Sequence, residues 1–435
     1  MKEIVFNRLG SFILFSLVVF FSCKKETTDL TPPAISIYAP YQNQSYNYTD
    51  TIRTDFSVSD DFAVNSIGVT VVDANIIPVL PSLTVTPLGR LGTYHQSIVI
   101  DNIHLATGSY FLKITASDGQ NTGEKFQPIT ILGAPKKRLS YFYVTKPAPN
   151  SVQVNSLDTN FVSGNYYSVY GDLIASEINS YNQNICTEGS QTGNLNTIRL
   201  SSPSLAWSVP VVNSSSPYFE GLSCWNNMTY VSFYTSVIKG YDENGNQRFN
   251  ATVANGFYPI KILRHDIYLA AEAKDISSSA KKIILYYLGS GLGAQENALN
   301  MDVVSMFTYD AGNIFLFGNS GGQGVFSVYQ IATNSFVSPV NIPAGSILSA
   351  VQVDNDNYLI AHSNGTIYKF QYSGNSLTVF ASGVIAAHMA YDDVNHELLV
   401  SQSNSIKKYN YTNSALLNSI PTTDSVCGLH VLFNK

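Results

Sequence analysis

From Arg138 to Lys435 the chain repeats itself, and this repeat constrains the possible folds more than any other feature of the sequence. Its clearest trace is a short apolar run: Thr229-Tyr230-Val231-Ser232-Phe233, Ile267-Tyr268-Leu269-Ala270-Ala271, Ile314-Phe315-Leu316-Phe317, Tyr358-Leu359-Ile360-Ala361-His362 and Glu397-Leu398-Leu399-Val400-Ser401. The spacing averages about 42 residues, and a unit of that size cannot bury its apolar face alone, so it must stack on copies of itself. Each run follows an apolar strand and a polar turn, as in Ser349-Ala350-Val351-Gln352-Val353 before Asp354-Asn355-Asp356-Asn357, and His388-Met389-Ala390-Tyr391 before Asp392-Asp393-Val394-Asn395. A third strand ending in an aromatic comes next (237–241, 283–287, 325–329, 366–370, 406–409), and most of these lead through a Gly/Asn/Ser turn to a fourth.

A more divergent unit is expected from about Tyr166 to Val212, with a polar insertion around Asn179 to Gly193, which makes six. Strands at Leu139 to Val144 and Val152 to Val154 begin the array and Val426 to Phe433 ends it. Joined, they would form a seventh unit stitched from both ends, which closes a ring and removes two exposed sheet edges. Four antiparallel strands per unit is the build of a propeller blade. The array resembles the bacterial β-propellers of the YVTN and quinoprotein-like kind over about two thirds of the chain, in architecture rather than in motif. It has no Trp-Asp pattern and no Ser-x-Asp-x-Gly-x-Thr-Trp box, and Trp207 and Trp225 are its two tryptophans. The expectation is an all-β chain with a seven-bladed propeller over 138–435, six or eight blades being the alternatives.

Before the array, residues 33–133 hold seven short alternating runs: Ala34 to Tyr38, Ile52 to Val58, Ile67 to Val72, Leu83 to Pro87, Gln96 to Ile100, Tyr110 to Ala116 and Phe126 to Leu132. That density of strands is the signature of a β-sandwich. The stretch from Ser109 to Thr122 resembles the last hairpin of bacterial immunoglobulin-like modules, with Tyr110 in the place of a tyrosine corner. Asp60, Asp61 and Asp118 fall in loops. They are calcium candidates, because calcium takes several oxygen ligands, but Asp and Gly favour such turns in any case.

At the N-terminus, Lys2 and Arg8 precede an apolar run from Phe12 to Phe21, too short to cross a bilayer. Residues 1–22 read as a signal peptide ending Phe20-Phe21-Ser22-Cys23, which resembles the lipobox of bacterial lipoproteins. The resemblance implies cleavage before Cys23 and lipid on its thiol; a cut elsewhere, with Cys23 incidental, is the alternative. Residues 23–32 read as a flexible tether through Lys24-Lys25-Glu26 to Pro32. This order is similar to lipoproteins of the Bacteroidota, which implies a membrane partner through the anchor, an outer-membrane address and display on the outer face.

Composition narrows the function. Charged residues make up 12% and aromatics 12%, a β-rich profile that leaves long helices unsupported. A net charge of -6, without a basic stripe, argues against a nucleic-acid partner. Besides Cys23, the cysteines Cys186, Cys224 and Cys427 lack metal-ligand spacing and allow one disulfide at most. The seven histidines share no metal motif, and the glycine-rich 318–324 joins two strands rather than opening a helix, so no cofactor, metal or catalytic residue is assigned. Asp392, Asp393, His396 and Glu397 read as a solvated hairpin turn. His388 and His430 lie on predicted innermost strands and are the ligand-site candidates. Three readings follow: a non-catalytic binding or scaffold module for a protein or a glycan, a carbohydrate-active enzyme on a propeller scaffold, and a subunit of an envelope assembly.

Overall fold

The structure is a computed structural model that describes residues 29–158, 160–212, 216–254 and 256–435. Cys23, the signal segment and most of the tether lie outside the described residues. The chain forms two compact units that divide between Pro135 and Lys136. Among the described residues every regular element is a strand.

The first unit pairs a three-stranded sheet (Ala34–Ala39, Thr51–Ser59, Leu91–Val99) with a five-stranded one (Gln44–Asn47, Thr122–Leu132, Gly108–Ser117, Ser66–Val72, Leu83–Val85). Alternation explains the core: Ile52, Phe56 and Val58 from the first sheet meet Ile67, Val69, Leu112 and Ile114 from the second, while the intervening residues face outward. Gln44–Asn47, which the sequence pattern did not announce, pairs in parallel with the last strand of the unit. Its four residues carry one buried side chain, Tyr46, too short a pattern to read. Tyr110 donates its hydroxyl hydrogen to the Ala106 carbonyl at 2.9 Å.

In the second unit the described residues hold seven four-stranded antiparallel sheets. Six are simple meanders, whose first strands are Ala175–Asn179, Phe219–Trp225, Phe257–His265, Asp302–Asp310, Ile347–Gln352 and His388–Asp392. The remaining sheet joins Ser163–Tyr170, Ser151–Leu157 and Arg138–Ala148 to the C-terminal Val426–Phe433, which pairs antiparallel with Arg138–Ala148. Each first strand packs on the next, and Val426–Phe433 packs on both His388–Asp392 and Ala175–Asn179, so the sheets close into a ring.

The described apolar cores of this unit fall between neighbouring sheets. Within Asn313–Ser320 the packing explains the unbroken apolar run Ile314 to Phe317: Phe315 and Phe317 pack toward the following sheet, and Ile314 and Leu316 toward the preceding one. A strand covered on both faces has no solvent side to mark with polar residues.

Two boundaries differ from expectation. Tyr166 belongs to Ser163–Tyr170, in the sheet before the divergent unit. The expected insertion from Asn179 to Gly193 contains Asn184–Glu188, a fully buried second strand. Its Asn184, Thr187 and Glu188 stand where other units place apolar residues, and the polar composition hid it.

Candidate ligand-binding channel

The first strands surround a cavity of about 540 Å³. Successive sheets contribute Ser176, Leu222, Lys261, Ser305, Ser349 and His388, and the C-terminal strand adds Cys427, Gly428 and His430. Both candidate histidines, which sit on innermost strands, line it. Lys261, also a lining residue, was missed: its strand has no repeating polar signal, and which face its side chain takes depends on the neighbouring sheet.

The geometry around the histidines is specific. His430 Nε2 lies 2.8 Å from Ser176 Oγ, bridging the last strand of the chain to the first strand of the next sheet. Gly428 makes room for that bridge, since a Cβ there would lie 2.1 Å from Ser176 Oγ. Burial, helped by the neighbouring His388, pushes the His430 pKa down to about 3. Burial and then the Lys261 ammonium lower that of His388. Both imidazoles are thus neutral near pH 7, able to accept or donate a hydrogen bond without bringing charge.

Among the described residues no Asp or Glu lines the channel. Glu177 and Glu188 lie on one face of the sheet that begins at Ala175–Asn179, with Cys186 opposite Glu177 in register. Burial lifts Glu177 to about 8, Glu220 to about 7 and Glu272 to about 7, and raises Glu188 well above the carboxyl range. The Lys261 charge opposes the rise at Glu177, Glu188 and Glu272, which sets this ammonium among acids whose protonated form desolvation favours. Cys224 Sγ is 3.8 Å from Cys186 Sγ, and Cys186, Cys224 and Cys427 are free thiols.

The other sequence candidates fall elsewhere. Asp392 is fully buried, contrary to the expectation of a solvated turn. One of its oxygens caps its turn through the Val394 and Asn395 amides, while the other accepts the Tyr141 hydroxyl at 2.8 Å and faces Arg138 at 3.1 Å. Tyr141 also lies 2.6 Å from Glu397, so the cluster ties the last meander, which begins at His388–Asp392, to the sheet shared by the two ends of the unit. His265 and His362 are buried and hold loop carbonyls, of Ala311 and Pro343 respectively. Asp60, Asp61 and Asp118 lie in the first unit, where the structure brings Asp60 and Asp61 together with Asp29.

No protein-family model and no curated protein sequence matches the chain. Solved structures resemble it at low identity. A quinoprotein alcohol dehydrogenase-like protein from Bacteroides thetaiotaomicron is 14% identical, covers 92% of this chain and 99% of its own, and has a TM-score of 0.46. The WD40 β-propeller domain of Doa1 is 14% identical, with 60% of this chain and 86% of its own covered at a TM-score of 0.47. A computationally designed protein, Ika8, is 11% identical, with 66% and 85% covered at 0.48. These are likenesses of chain trace and assign no role to any residue here. The ring of four-stranded sheets, read from the chain's own strand pairing, places the second unit in the β-propeller class.

Proposed function

We propose that this protein is a non-catalytic binding module, an exported lipoprotein whose seven-bladed propeller takes a protein or glycan ligand at the mouth of its central channel. The observation that carries the reading is the channel lining: serine hydroxyls, neutral imidazoles and one ammonium among apolar side chains, with no carboxylate among the described lining residues. Glycosidic acid/base chemistry requires two carboxyl groups about 5 to 10 Å apart facing the substrate. Hydroxyls, imidazoles and an ammonium suit recognition of hydroxyl-rich or carboxylate-bearing groups instead. The first unit, read as an immunoglobulin-like sandwich, is the spacer. Two features of the sandwich support that reading: its division into a three-stranded and a five-stranded sheet, and the Tyr110 to Ala106 bond across four residues. Cys23 is the lipid attachment point, with an outer-membrane location and outward display.

The test presents the purified chain to a glycan panel and to envelope extracts, recording retained ligand and released product together. Retention without turnover is expected, weakened about tenfold or more in Lys261→Ala and His388→Ala, which remove about 1.4 kcal/mol of contact per factor of ten. Saturable product release would overturn the binding reading. Palmitate labelling of the wild type but not of Cys23→Ser is the expected result for the anchor, and equal labelling would contradict it.

A further inference from the structure

We propose that Asp29, Asp60 and Asp61, backed by Asp118, form a calcium site at one end of the first unit, and that the ion clamps the segment leading into the sandwich onto its final hairpin. Asp29, Asp60 and Asp61 come from two separate stretches of chain, yet each offers a carboxylate oxygen within 4.8 Å of the other two. Oxygens that share a calcium ion at about 2.4 Å lie at most about 4.8 Å apart, so the three already occupy the radius of one coordination sphere.

Turn chemistry accounts for only half of these carboxylates. Asp29 Oδ1 accepts the Thr31 amide at 3.0 Å and Asp60 Oδ1 the Phe62 amide at 2.7 Å, as short Asx turns require. The second oxygen of each, Oδ2, is shut from solvent with no N–H or hydroxyl donor to it, and the side chain beside Asp29 is another acid, Asp118. Asp29 as a residue is only 5% exposed. Buried carboxylate oxygens without partners are rare, because leaving them unpaired costs their full desolvation. None of the ion pairs among the described residues engages Asp29, Asp60, Asp61 or Asp118.

The surroundings fit a hard cation. Asp118 fixes its own turn by accepting the Gln120 and Asn121 amides at 2.6 and 2.7 Å. That turn in turn holds Asp29: the Asp29 amide donates to Gln120 Oε1 at 3.2 Å, and Asn121 Nδ2 donates to the Asp29 carbonyl at 3.1 Å. The Asp118 carboxyl borders that of Asp29, so four acidic groups crowd this end of the unit. A divalent ion would neutralise this crowding and take up the two stranded oxygens at once. Water and neighbouring carbonyls can complete the six to eight oxygens calcium takes, whereas magnesium requires shorter, near-octahedral contacts.

The experiment uses the full chain stripped with EGTA, titrated with CaCl₂ and separately with MgCl₂ while calorimetric heat and thermal unfolding are followed. One saturable calcium site is expected, with affinity in the roughly 10⁻⁴ to 10⁻³ M range of extracellular modules, and an upward shift of the first unfolding transition. Asp29→Asn and Asp61→Asn should each weaken binding about tenfold or more, and Asp393→Asn, which carries the same charge change in the second unit, should not. Far-UV circular dichroism checks that the variants fold. A wild-type chain whose unfolding is indifferent to calcium up to about 10 mM, an order of magnitude above that affinity range, would overturn the site. So would undiminished binding in Asp29→Asn. Neither result bears on the channel reading, which concerns the other unit.

Discussion

Glu188 is fully buried and neither of its carboxyl oxygens has a hydrogen-bond partner among the described residues. Burial, and after it the neighbouring Cys186 and Glu220, raise its pKa so far that the neutral acid is the form the fold accommodates. Glu177, Glu220 and Glu272 follow at about 8, 7 and 7. A carboxyl whose folded pKa exceeds its unfolded one contributes stability that is complete below the unfolded value of 4.5 and is lost as pH rises through the folded value. For the almost fully buried Glu272, the rise from 4.5 to about 7 corresponds to about 3 kcal/mol at about 1.4 kcal/mol per unit. The unfolding midpoint should therefore fall as pH rises from 4.5 through about 8, the span of these printed pKa values, and Glu188→Gln should flatten the alkaline part of the decline in a thermal melt. An unchanged slope would mean that Glu188 is not held protonated. His388 and His430 act at the other end: their lowered pKa values contribute stability above the ordinary 6.5, lost as pH falls toward about 3 for His430. Those two histidines were legible because strand order places them innermost. Glu188 and Lys261 were not, since one sits in a strand disguised by polar residues and the other is aimed by its neighbours.

Two glycines separate a rigid obstacle from a soft one. A Cβ on Gly221 would meet the Ile260 carbonyl oxygen at 2.2 Å, backbone belonging to the next sheet, so Gly221→Ala must push two first strands apart. A cost of about 1–3 kcal/mol in urea unfolding is expected, as for other overpacked contacts. On Gly428 the obstacle is the Ser176 hydroxyl, which can rotate away at the cost of its contact with His430. Gly428→Ala should cost about 1 kcal/mol or less, near the worth of one hydrogen bond. Equal losses from the two substitutions would refute this distinction. At this scale the second strands were the most readable elements: Glu397–Ser401 and the third strand Val237–Tyr241 have the bounds their apolar pattern implies. Double-sided burial writes an uninterrupted apolar run into the sequence, and a turn-capping Asp such as Asp310 or Asp354 often precedes it. The strand Asn184–Glu188 follows the same packing rule with polar side chains, which is why pattern alone passed over it.

Closure of the ring depends on its last strand. Deleting Val426–Phe433 would leave Arg138–Ala148 as an open edge and strip Val426, Leu429 and Val431 from the core they share with Tyr141 and Leu399. The shortened chain should lose cooperative unfolding and self-associate, visible as a broad melt and a heavier species in light scattering, because exposed edges template pairing. A monodisperse, cooperatively melting product would show that the ring closes without that strand. The sequence by itself determined the all-β class, the repeat and its period, and the strands buried on both faces, because periodic burial leaves a periodic record. It also placed His388 and His430 toward the centre. Tertiary structure alone decided that the carboxyls around Lys261 face between sheets rather than into the channel, that Asp392 is buried beneath Tyr141, and that Asp29 joins Asp60 and Asp61. Each of these unites residues distant in the chain, where spacing carries no information about the packing that brings them together.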